Sequence, residues 1–259
     1  VQTILGDAVV SVHPAEHQVR TASGRKVAYD KLLLATGGKP IVPPIPGTDA
    51  RGVFTFTCYD DARRVDEWLK TEPTREAVVL GGGMIGLKAA EALITRGLSV
   101  TIVELADRLL SNTFDQAASR LLEDALRKKG ASVCLQTTVE KVIVTQGQVR
   151  GVKLKSGLDL YCRLLVIAIG VSPNLSYLSG SGIVTNRGIV VDEKLQTSAP
   201  DIYAAGDVAE AYDLLLGQKR PLPILPLAYR QGMIAGRNMA GLSDNYTGGM
   251  PMNSIEICG

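Results

Sequence analysis

The stretch VVLGGGMIGLKAAEAL, residues 78–93, constrains the fold more than any other part of the chain. It reads as an apolar strand, a glycine turn with the spacing Gly81-x-Gly83-x-x-Gly86, and the start of a helix. In such a unit the first glycine permits the tight turn, the second lets a pyrophosphate approach the backbone, and the third lets the helix pack against the strand. The stretch therefore predicts a dinucleotide-binding strand–turn–helix unit.

The residues that follow the turn add two further parts of such a site. The backbone N–H groups of Met84 and Ile85 lie at the helix start, where the helix dipole favours phosphate groups. Glu104 ends the next strand, LSVTIVE, at the position of a ribose-binding acid. A carboxylate there repels a 2′-phosphate, so we expect NAD rather than NADP, a preference that Arg108 softens. An ordinary glycine turn is the alternative, and it does not require this acid.

Residues 76–170 alternate strands and helices as an α/β domain does. Helices are predicted from Met84 to Arg96 and from about Asp115 to Lys129, because apolar residues recur there at helical spacing. The strands AVVL, LSVTIVE and SVCLQ alternate with them, and VEKVIVT, QVRGVKL and LDLYCR predict a meander of short strands. The apolar run LLVIAIG then closes the unit as a buried strand.

The flanking residues have other patterns. Residues 1–35 predict a small antiparallel meander, and KPIVPPIPG predicts an extended connector because it holds four prolines. A helix is predicted from Asp60 to Leu69 with Trp68 in the core, and residues 72–74 mark a domain boundary. Near the end we predict a helix from about Pro226 to Ala240. The last stretch, YTGGMPMNSIEICG, is similar to the opening of a further strand.

Composition limits the classes of function. Hydrophobic residues make up 46% and charged residues 21% of 259 residues, as in a globular protein with a core. The net charge of +2 gives no reason to expect nucleic acid or a membrane surface as partner. The sequence contains neither an apolar run of membrane-spanning length nor a signal peptide, so we expect a cytoplasmic location.

The cysteines and histidines give no sign of a metal site. None of the four cysteines forms a C-x-x-C pair. Cys134 and Cys162 lie in apolar strand-like runs and are predicted to be buried, whereas Cys58 enters a helix from a loop. His13 and His17 flank a turn and are predicted to be solvated.

Three stretches accompany the glycine loop: YDKLLLATGGKP before it, and VIAIGVSPN and TSAPDIYAAGDVAE after it. In this order they closely resemble the pyridine nucleotide–disulfide oxidoreductase superfamily over nearly the whole chain. The nearest branch holds NADH oxidases, rubredoxin and ferredoxin reductases, and nitrite reductase flavoprotein units. The resemblance implies Rossmann-like, three-layer α/β domains. A NAD-binding domain (74–170) would be inserted into an incomplete FAD-binding domain (1–73 and 171–245), and 246–259 would start a C-terminal dimerisation domain.

The resemblance also implies contacts with two cofactors, NAD(H) and FAD. In the A-G-D motif a carboxylate would bind the ribityl chain of FAD, and the later helix start would approach the flavin ring. A simple helix N-cap is the alternative role for that carboxylate. The implied FAD contacts are Ala35, Thr36, Gly37, Gly206, Asp207 and Ala228, and Gly170 would border the NAD site.

Two departures from the family qualify these expectations. Family members begin with a glycine loop for the ADP half of FAD, which we expect upstream of Val1, so we expect weak or absent FAD in this chain. Lys88 stands where the family often has a glutamate near the nicotinamide.

The implied function is hydride transfer from NADH to FAD and onward to a second acceptor, with no catalytic acid or base from this chain. The acceptor, a small molecule or a small redox protein, stays open, and the resemblance implies a homodimeric parent enzyme. The alternatives are a module that binds NAD(H) without turnover, and a partly unfolded flavin domain whose apolar surface self-associates.

Overall fold

A computed structural model describes residues 1–257 of the chain. They form two compact units. The outer unit comprises Val1–Lys39 and Ser172–Ser254, and the central unit comprises Pro40–Val171 and residues 255–257. None of the described helices is both long enough and apolar enough to cross a membrane.

Within residues 1–257, the two units together contain short strands and four α-helices. The strands are β1 (Val9–His13), β2 (Gln18–Thr21), β3 (Lys26–Ala28), β4 (Leu32–Leu34), β5 (Gly38–Pro40), β6 (Val53–Thr55), β7 (Glu76–Leu80), β8 (Ser99–Val103), β9 (Ser132–Cys134), β10 (Val139–Thr145), β11 (Gln148–Leu154), β12 (Asp159–Tyr161), β13 (Leu164–Ile167), β14 (Val171–Pro173), β15 (Ile189–Val190), β16 (Ile202–Ala204), β17 (Ala209–Asp213) and β18 (Gln218–Pro221). The helices are α1 (Tyr59–Thr71), α2 (Met84–Thr95), α3 (Gln116–Lys128) and α4 (Leu225–Met239).

The central unit is built on a parallel sheet of five strands in the order β6-β13-β7-β8-β9. Alternate side chains of each strand point to opposite faces, so apolar strands such as β7 bury both. Val79 packs with the helices in one core cluster, whereas Val78 packs with the antiparallel meander β10-β11-β12 in another. Helices, sheet and meander make the three layers of a Rossmann-like α/β fold, as predicted.

The predicted helices of this unit are confirmed to within two residues at each end. Asp115 caps α3 by accepting a hydrogen bond from the Ala118 N–H at 2.9 Å. Gly130, which follows the end of α3, has a φ of +92°, which favours glycine. Trp68 of α1 is buried in the core, and its indole N–H donates to the carbonyl oxygen of Arg163 at 3.1 Å.

The central unit begins earlier than the expected boundary at residues 72–74. Strand β6 pairs with β13 in the five-stranded sheet of the central unit. Val65 and Trp68 of α1 lie in the core cluster between that sheet and the helices. Both elements therefore belong to the compact unit that starts at Pro40. A three-residue strand carries no periodicity, so no sequence pattern indicates this pairing.

The outer unit contains the antiparallel sheet β1-β2-β3, which confirms the predicted meander. A second sheet joins β15, β17 and β18, and β4 pairs in parallel with β16. Helix α4 begins at Leu225 with Pro226 in its first turn, close to the prediction.

The prediction of a further strand in YTGGMPMNSIEICG is wrong for the residues that the structure describes. Gly249 alone makes a bridge, to Asp213, through the hydrogen bonds Gly249 N–H to Tyr212 and Leu214 N–H to Gly249. Pro251 lacks the N–H that an extended ladder needs. Cys258, the last cysteine, lies outside the described residues.

The other cysteines differ in their burial. Cys162 is fully buried as predicted, and this burial raises the pKa of its thiol to about 12. Cys134 is only partly buried and Cys58 is exposed. His13 and His17 are exposed as predicted, and residues 1–257 contain no cluster of side chains suited to a metal ion.

Candidate functional site

The carboxyl ends of parallel strands share one edge of the central sheet. Gly81 follows β7, Glu104 follows β8, and Gly170 lies shortly after β13. The Gly170 carbonyl oxygen accepts a hydrogen bond from the Ile41 N–H at 3.0 Å. The fold thus brings these three predicted residues to one edge, where open α/β sheets bind ligands.

The three glycines of the loop differ in what surrounds them. Gly81 has a φ of +115°, and a Cβ there would overlap the Ala168 carbonyl group. A Cβ on Gly86 would overlap the Gly81 carbonyl, so this helix start lies directly on the turn. At Gly83, in contrast, an added Cβ would meet no atom of residues 1–257 within 4 Å. Gly83 is the N-cap residue of α2, and its position carries no side chain to cap the helix. Open space before a helix N-terminus fits a phosphate group.

Glu104 is bound to the glycine loop. One carboxylate oxygen accepts from the Gly82 N–H at 2.6 Å, and the other accepts from the Ala106 N–H at 2.8 Å. The side chain therefore fixes the loop while each oxygen keeps a further lone pair. A half-buried carboxylate with this remaining acceptor capacity fits the hydroxyl groups of a ribose.

Two cations near this edge are engaged within the chain. Lys88 donates to the Glu91 carboxylate at 2.6 Å and to the Glu256 carbonyl oxygen at 2.6 Å. Arg108 donates to carbonyl oxygens of the loop that follows Glu104. Neither charge is thus held ready for a ligand in the conformation described.

The remaining predicted residues meet in the outer unit. Ala35, Thr36 and Gly37 follow β4, and Gly206 and Asp207 follow its parallel neighbour β16. A Cβ on Gly206 would lie 3.4 Å from the Cβ of Ala228, which places the first turn of α4 beside this turn. Two strand ends and a helix start therefore converge.

Asp207 does not cap a helix. It lies within the 3-10 turn Gly206–Val208, whose N-cap residue is Ala205, and no side chain caps this turn. Burial raises the pKa of the carboxyl group, and no described residue donates a hydrogen bond to it. The N-cap alternative is therefore wrong, and the half-buried carboxylate is an acceptor that a ligand hydroxyl fits.

Sequence reasoning missed two residues that hold these turns. Gln231 is buried and accepts a hydrogen bond from the Gly206 N–H at 2.8 Å. Tyr177 contacts the Thr36 hydroxyl at 3.0 Å, and Thr36 donates to the Asn174 carbonyl oxygen at 3.2 Å. Burial raises the pKa of Tyr177, so the phenol stays a neutral hydrogen-bonding group. Gln231 had a signal, because it shares helical spacing with the buried residues of α4.

Known proteins of similar sequence and fold include enzymes whose names contain NADH. NADH-dependent phenylglyoxylate dehydrogenase subunit epsilon of Aromatoleum evansii is 38% identical over 256 residues, which are 97% of this chain and 59% of that protein. The water-forming NADH oxidase from Lactobacillus brevis, solved with NADH, matches with a TM-score of 0.88 at 27% identity, over 97% of this chain and 56% of that one.

An engineered form of that oxidase, solved with NADPH, matches with a TM-score of 0.83 at 27% identity, over 93% of this chain and 54% of that one. The chain thus spans little more than half the length of these proteins. Residues 1–232 match the model of the pyridine nucleotide-disulphide oxidoreductase family. The chain therefore belongs to the pyridine nucleotide-disulphide oxidoreductase family.

Proposed function

We propose that this chain is part of a flavin-dependent NADH:acceptor oxidoreductase, which passes a hydride from NADH to FAD and electrons to a second acceptor. The observation that carries the proposal is the edge of the central sheet. There the open space before Gly83 adjoins a carboxylate, Glu104, that already holds the glycine loop. This pairing suits a dinucleotide better than a single phosphate, because it offers a pyrophosphate site and a ribose site together.

The central unit, Pro40–Val171, would bind NADH. Backbone N–H groups of the first turn of α2 would face the pyrophosphate, and Glu104 would accept from the ribose hydroxyls. The Met84 and Ile85 positions lie in that turn, and Gly170 borders the same edge. These residues orient the coenzyme and supply no acid or base.

Glu104 favours NADH over NADPH because its charge repels a 2′-phosphate. In the engineered oxidase solved with NADPH, a glycine and an aspartate eighteen positions apart were both changed to alanine, and the next residue became arginine. Gly86 and Glu104 are also eighteen positions apart. By this spacing Glu104 and Leu105 take the places of the aspartate and of the residue that became arginine.

In the parent enzyme the outer unit would contribute to the FAD site, which this chain alone would fill weakly or not at all; FAD supplies the hydride acceptor when bound. The turn Ala35–Gly37 would lie against FAD, Asp207 would accept a hydrogen bond from a ribityl hydroxyl, and the first turn of α4 at Ala228 would approach the ring. Gln231 holds the turn that carries Asp207. Residues 246–259 would begin a C-terminal dimerisation domain.

The acceptor is proposed only as a class. The relative from Aromatoleum evansii is named as a subunit, which supports a protein acceptor, whereas the Lactobacillus brevis relative is named as a water-forming oxidase. We expect the acceptor to be a small molecule or a redox protein, used by a dimeric enzyme.

The proposal is tested by titrating the chain with NADH and then adding FAD and an artificial electron-accepting dye. Saturable NADH binding, with NADH oxidation only when FAD and the dye are both present, supports it. Binding without any turnover at saturating FAD would favour the alternative, a module that binds NAD(H) and performs no chemistry. Absence of NADH binding would contradict both.

A further inference from the structure

We propose that Arg108 is a positioning residue for the NADH site: it holds the loop 105–114 against the glycine loop and does not itself contact the coenzyme. This inference rests on the proposed function of the central unit. It deepens that function by assigning a role to a residue outside the glycine loop and the ribose-binding acid.

The Arg108 guanidinium closes its own loop. Its Nε donates to the Phe114 carbonyl oxygen at 3.0 Å, and its Nη2 donates to the Ser111 carbonyl oxygen at 3.0 Å. Nη1 pairs with the Asp107 carboxylate at 2.8 Å. All three nitrogens of the guanidinium thus have partners within the loop, and 29% of the side chain is exposed. Hydrogen bonds from a charged donor are stronger than neutral ones, so these contacts define the loop.

The closed loop in turn holds the glycine loop. The Leu110 N–H donates to the Gly82 carbonyl oxygen at 3.0 Å. The Leu109 side chain packs on Gly82 so closely that a Cβ there would lie 2.6 Å from Leu109 Cδ2. Since Glu104 accepts from the Gly82 N–H, both backbone polar groups of Gly82 are held by hydrogen bonds. The position of the phosphate-binding turn therefore depends on the loop as well as on Glu104.

The backbone of the loop needs such support. Leu110 has a φ of +50°, in the left-handed region that a leucine rarely adopts, and its side chain is buried. Its carbonyl oxygen accepts from the N–H groups of Thr113 and Phe114 at 2.8 Å each. A strained residue persists only where the surroundings hold it. Arg108 stabilises this backbone conformation from one side. Buried Ser119 of α3 stabilises it from the other side by donating to the Leu109 carbonyl oxygen at 2.7 Å.

A competing role for Arg108 is direct binding of a 2′-phosphate. The two roles differ in their effect on coenzyme preference. Removing a phosphate ligand weakens NADPH binding and leaves NADH binding unchanged. Removing a positioning residue weakens the binding of both coenzymes by the same factor, because both use the same pyrophosphate turn.

The experiment compares Arg108→Met with the wild-type chain by fluorescence titration of NADH and of NADPH, at a temperature where both are folded. Methionine keeps much of the apolar stem and removes every donor. We expect both dissociation constants to rise about tenfold, with their ratio unchanged. Arg108→Lys should restore little, since one ammonium does not reproduce the planar fork that joins two carbonyl groups. Arg96→Met, which loses an exposed pair with Asp66, is the matched control and should leave both constants unchanged.

Hydrogen exchange gives a readout that does not depend on the coenzyme. In Arg108→Met we expect the amides of residues 105–114 to exchange faster, together with that of Gly82, while the β7 amides stay protected. A purely global loss of stability would speed exchange across the sheet and leave the dissociation constants of the folded chain unchanged.

The outcomes separate the inference from the proposed function. Unchanged NADH binding by Arg108→Met, or a loss confined to NADPH, overturns the positioning role while the proposed function stands. If Arg108→Met does not fold, Ser119→Ala removes the support from α3 instead. It should weaken both coenzymes about threefold, and unchanged binding would overturn the inference. A wild-type chain that binds neither coenzyme overturns the proposed function and this inference with it.

Discussion

Replacing Gly83 with alanine should weaken coenzyme binding and leave the stability of the fold almost unchanged. A Cβ at this position meets no atom within 4 Å among the residues that the structure describes, and the φ of −81° suits any residue. Alanine at an N-cap costs about 0.5–1 kcal/mol relative to glycine, whereas the loss of glycine freedom in the unfolded chain stabilises by about 0.4–1 kcal/mol. These contributions oppose each other, so the free energy of unfolding should change by less than about 1 kcal/mol.

NADH binding should nevertheless fall, because the added methyl group enters the space that the pyrophosphate would occupy. Loss of one or two hydrogen bonds to a charged phosphate costs about 1.5–3 kcal/mol, which raises the dissociation constant about 10- to 150-fold. The assay is a fluorescence titration with NADH, paired with thermal unfolding of the same samples. Wild-type affinity in Gly83→Ala would refute the placement of the pyrophosphate at this turn.

Gly81→Ala is the matched comparison. Its φ of +115° is unfavourable for alanine, and the Cβ would overlap the Ala168 carbonyl group. Backbone strain and overpacking each cost about 1–3 kcal/mol, so this variant should unfold at a temperature lower by about 5–15 °C. Equal melting temperatures for the two variants would contradict the distinction between a ligand-facing glycine and a turn glycine.

Three further predictions follow from the same sites. Glu104→Ala should weaken NADH binding about tenfold, and adding Leu105→Arg should favour NADPH over NADH in titrations of both coenzymes. Asp207→Ala should reduce FAD uptake, measured by flavin fluorescence, and leave NADH affinity unchanged. Burial raises the pKa of Asp61, but hydrogen bonds from Thr57 and Arg64 outweigh it and lower the pKa below its usual 3.8. The stability that a lowered pKa contributes is fully present above the pKa of the unfolded chain. It is lost as the pH falls through the pKa of the folded chain. Stability should therefore decrease below about pH 4, and less steeply in Asp61→Asn, measured by denaturant unfolding across pH.

The sequence predicted those features that depend on local periodicity and on special residues. The apolar period marked α3. Gly81, Gly83 and Glu104 marked the sheet edge, because Gly81 is required by backbone shape, Gly83 leaves space before the helix start, and Glu104 supplies a charge. Features that depend on distant contacts gave no local signal. The pairing of β6 with β13 joins residues far apart in sequence, and Tyr177 reaches Thr36 only in the folded chain. The charge of Arg108 is visible in the sequence, but its hydrogen bonds to two carbonyl oxygens depend on the turn at Leu110.

The hydrogen bond from Ile41 to Gly170 has a consequence for the history of this architecture. It joins the entry and the exit of the central unit, so the ends of that segment are neighbours although more than a hundred residues separate them. A segment with adjoining ends can be spliced into a surface turn of a host without stretching it, since the host needs to span only the gap that a turn already spans. The segment that we propose to bind the coenzyme is in this sense portable, because recombination that exchanges residues 40–171 as one block leaves both backbones continuous.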